Sequence, residues 1–503
     1  MPYHAIWPVR GLLALLVTKH RFVVQMQPEV EKGSAFVDVA KVSVCYFCLM
    51  LLFQLVCRTL AVGTLCLLTL PPWAKEEVPA TAPPTDTVNP VWLTQLLQDS
   101  PVLRQHNVGV CITDATTGLK VYELNADKYF TPASVMKLFS FYTGLHLLTD
   151  SLPSLRYVVR HDSLVFWGTG DPTLLHGDVP SRRALDFLRT RPEKLFYAEI
   201  PSVTAYGPGW TWDDYNYYFQ PERGPFPIYG HTVRFYATAG KPRPRIYPRF
   251  FRALTEPVLA GTPNPADDHV RRPELENRFA FFPITKNWVD ETPFRTSPAL
   301  LRQLLQDTLH RPVLPAPFHL RPQDSIRVLH GLPVDSLYRR MLQVSDNFLA
   351  EQLLLMCSSR LGQDSLSTAR PIRVMRTLFL TNFPDAPHWV DGSGLSRLNL
   401  VTPRTLVALL LKLHQEVPEK RLLSLLAAGG GHGTLRRVYR DPRGPWLWGK
   451  TGTLTNNHNL VGYLRTRSGR LLAFSFMNNN HVVETTEVRK EMERVLTQVR
   501  ERL

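Results

Sequence analysis

Three short polar motifs, far apart in the chain, set the strongest condition on its fold. Ser134-Val-Met-Lys137 comes first, Ser345-Asp346-Asn347 follows 211 residues later, and Lys450-Thr451-Gly452 stands another 105 residues on. A fold that uses them together must bring early, middle and late segments to one place. Local patterning gives each motif a setting. Val108–Thr113 and Lys120–Leu124 alternate around Asp114–Gly118, which predicts a hairpin. Thr131 then suits an N-cap and Pro132 the first helical position, while Val135, Leu138, Tyr142 and Leu145 make an apolar helix face. Ser134 therefore falls in a first helical turn, with Lys137 on the same face three residues on. A serine hydroxyl is a poor nucleophile until a base takes its proton, and a lysine kept neutral by its surroundings can do so. Free backbone N–H groups at a helix start can stabilise an oxyanion.

Ser345–Asn347 opens a second apolar helix with Leu349, Leu353 and Leu354 as core, and these residue types equally suit a plain N-cap. Trp448–Leu454, Leu460–Leu464 and Leu471–Met477 predict three neighbouring antiparallel strands, with Lys450-Thr451-Gly452 on the first. Gly452 allows a ligand's backbone to approach, Lys450 supplies positive charge, and the hydroxyls of Thr451 and Thr453 can grip a carboxylate. Val488, Met492, Val495, Leu496, Val499 and Leu503 recur at helical spacing and predict a final helix covering that sheet.

In this order and spacing the motifs resemble the signature of serine penicillin-recognising enzymes. The chain is similar to the low-molecular-mass penicillin-binding proteins that act as D-alanyl-D-alanine carboxypeptidases and endopeptidases, in particular the peptidase S13 family. Gly168–Leu174, Gly207-Pro-Gly-Trp210 with Trp212–Tyr215, Asp391–Arg397 and Gly433–Arg436 extend the resemblance over nearly everything after residue 90. Residues 1–49 have no counterpart in it. The resemblance implies an α+β, transpeptidase-like fold with an antiparallel sheet and flanking helices, interrupted by a mostly β insertion. Its expected divisions are an N-terminal extension and signal or anchor at 1–75, a linker at 76–91, transpeptidase-like parts at 92–154 and 326–503, and inserted domain or domains at 155–325. It also implies roles. Ser134 attacks a peptide carbonyl next to D-Ala and Lys137 accepts its proton, while the backbone N–H groups of Ser134 and Thr453 hold the oxyanion. Ser345 relays a proton to the leaving amine, and Asn347 holds the substrate amide and Lys137. Lys450 makes the pocket positive, and Thr451, Gly452 and Thr453 receive the substrate's carboxylate end. The implied partners are peptidoglycan stem peptides ending in D-Ala-D-Ala, with β-lactams as inhibitors, and no metal or cofactor. A β-lactamase or a catalytically silent peptidoglycan-binding protein are the alternatives.

Val42 to Leu70 is apolar apart from Gln54, Arg58 and small polar residues, long enough to cross a bilayer. Read from Met50, it gives Arg58, an apolar core at 59–70 and Ala74 ahead of Lys75, the pattern of a secretory signal whose translation starts at Met50. A retained anchor with membrane association through 42–70 stays open. Either way the bulk of the chain is expected to be exported, periplasmic or associated with the cell envelope. The linker, Glu76–Pro90, is rich in Pro, Thr and Ala. Four cysteines lie within the apolar stretch, leaving Cys111 and Cys357, which could pair or stay free.

Composition excludes a disordered chain, with 44% hydrophobic and 20% charged residues. The 58 Lys and Arg exceed the 43 Asp and Glu, leaving +15. With export, that excess points to an anionic envelope rather than nucleic acid. Tyr215–Phe219 beside Arg223 could mimic a nucleic-acid platform, but packing inside the insertion is the expectation. Gly429–Gly433 lacks the Lys-Ser or Lys-Thr of a phosphate loop, and the histidines show no metal-ligand spacing.

Overall fold

A computed structural model describes residues 89–201, 204–259, 269–362 and 365–503. The expected N-terminal extension, the signal or anchor segment and most of the linker lie outside the described residues. Among the described residues no helix is long and apolar enough to cross a membrane.

A six-stranded antiparallel sheet carries the fold. It is built from β1 (Asn107–Asp114), β2 (Lys120–Leu124), β14 (Ala427–Ala428), β15 (Leu447–Leu454), β16 (Asn457–Arg465) and β17 (Leu471–Asn479), in the order β14-β15-β16-β17-β1-β2. The β1–β2 turn forms as its residues dictate. Asp114 Oδ1 accepts from the N–H groups of Thr116 and Thr117, and Gly118 takes the left-handed conformation that closes the turn. β1 pairs antiparallel with β17, Asn107 opposite Asn479, so the sheet closes between the early and late ends of the described chain.

Both faces of this sheet are covered. On one side lie α2 (Lys137–Leu147), α5 (Val334–Gln343), α6 (Asn347–Leu361), α7 (Ala369–Leu378), α8 (Pro403–Glu416) and α9 (Glu419–Leu425), joined through a core that includes Leu138, Phe141, Leu353, Met375, Leu410 and Val461. α8 begins as residue chemistry prescribes: Thr402 caps it by accepting from Thr405 N, and Pro403 takes its first position. On the other side α1 (Val91–Gln98) and α10 (Thr485–Arg502) bury Leu93, Leu97, Val488, Met492 and Leu496. Each such side chain removed from water contributes ~1.5–3 kcal/mol. The predicted final helix is therefore present, its apolar stripe directed at the sheet.

In chain order between the early and late strands of that sheet, residues 151–333 make a second sheet. It comprises β3 (Ser151–Arg160), β4 (Ser163–Gly168), β5 (Lys194–Glu199), β12 (Val313–Pro317) and β13 (Arg327–Pro333), in the order β12-β5-β4-β3-β13. It is mixed, with β4–β5 and β5–β12 parallel and the other pairs antiparallel. Helices α3 (Arg183–Thr190) and α4 (Pro298–Leu309) share its core with two small sheets. One is β11 (Trp288–Pro293), β6 (Thr232–Ala237) and β7 (Arg245–Tyr247); the other is β8 (Thr255–Pro257), β10 (Phe279–Phe281) and β9 (Val270–Arg271). This is the α+β arrangement with a strand-rich interruption that the sequence predicts. Cys111 and Cys357 are both buried free thiols.

Candidate active site

The turn before α2 departs from expectation in an informative way. Thr131 does not cap it; Ala133–Met136 form a 3₁₀ turn and the α-helix starts only at Lys137. Outside groups fix this geometry. Asn459 Nδ2 donates to the carbonyls of Thr131 and Pro132 at 2.9 and 3.1 Å, and Thr131 N donates to Asn479 Oδ1 at 2.6 Å. Ala133 is held at φ +51°, a strained setting for a residue with a Cβ. In a 3₁₀ turn residues three apart eclipse, which brings Lys137 directly under Ser134.

Lys137 Nζ lies 2.7 Å from Ser134 Oγ, 2.6 Å from Asn347 Oδ1 and 2.7 Å from the Ser393 carbonyl. The latter two can only accept. A neutral amine has two N–H donors and one lone pair, so both donors are engaged and the lone pair faces the Ser134 hydroxyl. Burial pushes Lys137 down to about 7, against Asp391, Asp346 and Glu351, which favour the ammonium. Asn347 is oriented by its other end, where Nδ2 donates to Phe219 O at 2.9 Å. One of its two amide hydrogens is left for a ligand.

Ser345 and Lys450 form a second pair, with Lys450 Nζ donating to Ser345 Oγ at 2.8 Å and to Thr451 O at 2.6 Å. Lys450 is fully buried, and desolvation together with Lys137 pushes it well below the ordinary lysine value. Ser345 has φ +68°, a second non-glycine residue in the left-handed region beside the site. Asp346 caps α6 by accepting from Leu349 N, so this motif serves as helix cap and site wall at once. Thr451 Oγ1 donates to Thr434 Oγ1 at 3.0 Å, and Thr453 Oγ1 lies 2.8 Å from His458 Nδ1. Burial pushes His458 down to about 3, so it stays neutral beside Thr453. A Cβ on Gly452 would stand 2.4 Å from Pro132 O and 3.1 Å from Ser134 N, so the strand presses against the backbone of the serine turn.

All eight predicted site residues thus lie in one neighbourhood. Ser134, Ser345, Asn347, Thr451 and Thr453 line a cleft of about 1020 Å³, while Lys137 and Lys450 lie buried behind it and Gly452 on the strand between. The sequence pattern described as "D-Ala-D-Ala carboxypeptidase 3 (S13) family" matches residues 91–242 and 302–499. The chain belongs to that family.

Relatives of this S13 chain include Carboxypeptidase DacB of Mycolicibacterium smegmatis, 31% identical over 172 residues, covering 33% of this chain and 37% of the relative. D-alanyl-D-alanine carboxypeptidase DacB of Haemophilus influenzae is 27% identical over 162 residues, 29% of this chain and 32% of the relative. The matches thus span about a third of those relatives' length. Penicillin binding protein 4 (dacB) from Haemophilus influenzae superposes with a TM-score of 0.64 at 18% identity, over 81% of this chain and 99% of that one, which shows a shared fold.

Some of the site escaped the sequence reading. The Tyr215–Phe219 segment, expected to pack inside the insertion, divides: Tyr215 Oη donates to Arg272 O and Asn216 Nδ2 to Val270 O within the insertion, whereas Tyr218, 67% exposed, and Phe219 line the cavity, and Phe219 O receives Asn347. The segment has no buried residue from Trp212 to Asn216, so it cannot serve as core. His458 escaped notice because a single residue on a strand carries no periodic signal. The family-like segments Asp391–Arg397 and Gly433–Arg436 were visible, but not what they touch.

Proposed function

We propose that this S13 chain is a serine D-Ala-D-Ala carboxypeptidase/endopeptidase of the cell envelope, hydrolysing peptidoglycan stem peptides through an acyl-enzyme on Ser134. The observation that carries this reading is the Lys137 amine, 2.7 Å from Ser134 Oγ with its two other contacts both acceptors. Family membership adds that this chemistry is the one its relatives are named for.

Lys137 takes the Ser134 proton as Oγ attacks the carbonyl carbon of the penultimate D-Ala. The developing oxyanion sits among backbone N–H groups, those of Ser134 and Thr453. Collapse expels the terminal D-Ala, whose nitrogen receives a proton through Ser345, and leaves an ester on Ser134. Water, losing a proton to the same base, cleaves that ester and regenerates the hydroxyl. Thr451 and Thr453, which line the cleft, receive the terminal carboxylate in the free-stem reaction, with Lys450 buried behind them. A β-lactam mimics the D-Ala-D-Ala end and acylates the same oxygen. The proposal includes the division into a catalytic unit of 92–154 and 326–503 around an insertion at 155–325, and export of that unit to the envelope where its substrate lies.

The test is incubation with penicillin and with diacetyl-Lys-D-Ala-D-Ala. A mass increment of one penicillin on the Ser134 peptide, with D-Ala released from the tripeptide, is the expected result. No adduct and no D-Ala would sink the assignment, while rapid turnover of a chromogenic β-lactam would favour a β-lactamase. Digestion of purified muropeptides then separates free-stem from crosslink cleavage.

Acylation should also depend on pH through Lys137. The reactive form is the neutral amine, present above a pKa of about 7 and lost below it. The second-order rate of penicillin acylation is expected to fall about tenfold for each pH unit below that point. A rate flat from pH 5 to 8 would exclude Lys137 as the base.

A further inference from the structure

Gly207-Pro-Gly-Trp210 and Arg223 are singled out by the sequence yet have no part in the mechanism above. Both belong to the segment between β5 and β6, and both reach into the catalytic unit. Trp210 Nε1 donates to Asp391 Oδ2 at 2.9 Å. The glycines make this reach feasible. A Cβ on Gly207 would meet Trp210 Nε1 at 2.5 Å, and Gly209, at φ +73°, lies against Ser396.

Asp391 is fully buried and organises the loop that follows it, accepting from the N–H groups of Gly394 and Ser396 and from Asn399 Nδ2 at 2.8–2.9 Å. That loop carries the Ser393 carbonyl, one of the two acceptors that hold Lys137 Nζ. The loop is also held by Ser140 of α2, whose Oγ donates to Gly392 O, and by Glu351 on α6, whose Oε1 accepts from Ser393 N, both at 2.7 Å. Glu351 has no exposure and its Oε2 pairs with Arg223 Nη1 at 3.0 Å. Arg223, itself 4% exposed, also donates to the carbonyls of Thr204 and Tyr206, and its guanidinium lies 5.2 Å from the Trp210 ring centre. Two neighbouring groups of the inserted segment thus hold the loop, one through Asp391 and one through Glu351.

We propose that Trp210 and Arg223 are positioning residues for the base, fixing the Ser393 carbonyl against Lys137 and answering the Glu351 charge. The inference rests on Lys137 acting as the base of Ser134. The charged groups facing Lys137 are Asp391 on the loop, Asp346 and Glu351 at and within α6, and Lys450 on β15. Asp346 is itself approached by Arg340 of α5, at 3.8 Å. Glu351 is the carboxylate whose buried counter-ion comes from the insertion. Removing that counter-ion leaves a bare negative charge near Lys137, which stabilises the ammonium and raises its pKa.

The experiment measures acylation by a fluorescent penicillin from pH 5 to 9 in the full-length protein. Arg223→Gln is expected to move the acid limb about one pH unit to the alkaline side, and Arg223→Gln with Glu351→Gln to move it back. Trp210→Phe keeps an aromatic ring at a partly exposed position and removes the indole N–H donor together with part of the ring. Its maximal acylation rate is expected to fall about tenfold, with the non-covalent affinity for the penicillin unchanged. If Arg223→Gln does not fold, Trp210→Phe decides alone. A wild-type plateau and limb in the folded variants would overturn this inference. A wild-type protein that takes no label would overturn the reading of Ser134 beneath it as well.

Discussion

Replacing Ser134 by alanine will abolish covalent labelling by penicillin while leaving the fold intact. Among the described residues Ser134 has no side-chain partner other than Lys137, and the turn that bears it is held at its backbone by the Asn459 and Asn479 side chains, contacts that alanine keeps. Thermal unfolding should therefore stay within about 0.5 kcal/mol of wild type, the usual range for a substitution away from structural anchors. The companion change, Lys137→Ala, leaves the hydroxyl without a base, and acylation should slow by about 10²–10⁴-fold. Peptide mass mapping after penicillin treatment and stopped-flow labelling read the two effects. A persistent adduct elsewhere in the Ser134→Ala protein would mean that another residue is the nucleophile.

Gly394→Ala should be nearly as damaging, although Gly394 takes no part in the chemistry. Its φ is +81°, where a Cβ is already unfavourable, and that Cβ would lie 1.9 Å from Ala133 O and 3.0 Å from Ser134 N. Neither neighbour can yield, because Ala133 is itself held at φ +51° by the strand behind it. Either the serine turn or the 391–394 loop must move by about an ångström, and displacement on that scale costs about 10²-fold in rate. Acylation kinetics and a melting curve check this. An unchanged rate would show that the two backbones are not in register during catalysis.

Much of this site is legible in the sequence. Residues three apart can share a face in either an α or a 3₁₀ turn, so placing Lys137 beside Ser134 survived an error about which turn it was. The strand carrying Lys450-Thr451-Gly452 followed from period-two alternation with its neighbours. The supporting shell was not legible, for a physical reason. Arg223 and Glu351 are 128 positions apart and meet through one ion pair, and Trp210 meets Asp391 across 181. Such contacts obey no helical or strand period, and a buried charge looks like a surface charge in a sequence. Tyr218 and Phe219 failed in the opposite sense, because aromatic residues that line a ligand cleft have the composition of a core.

The pairing of Asn107 with Asn479, and the grip of Asn459 and Asn479 on Thr131 and Pro132, also bear on when the chain becomes reactive. A growing polypeptide holds Ser134 and Lys137 long before it contains the residues that shape their turn. Contacts of such long sequence separation form late, since loop closure must precede them. The nucleophile is therefore assembled by β16 and β17, the last strands among the described residues, and a chain that lacks them is expected to be inert rather than half active.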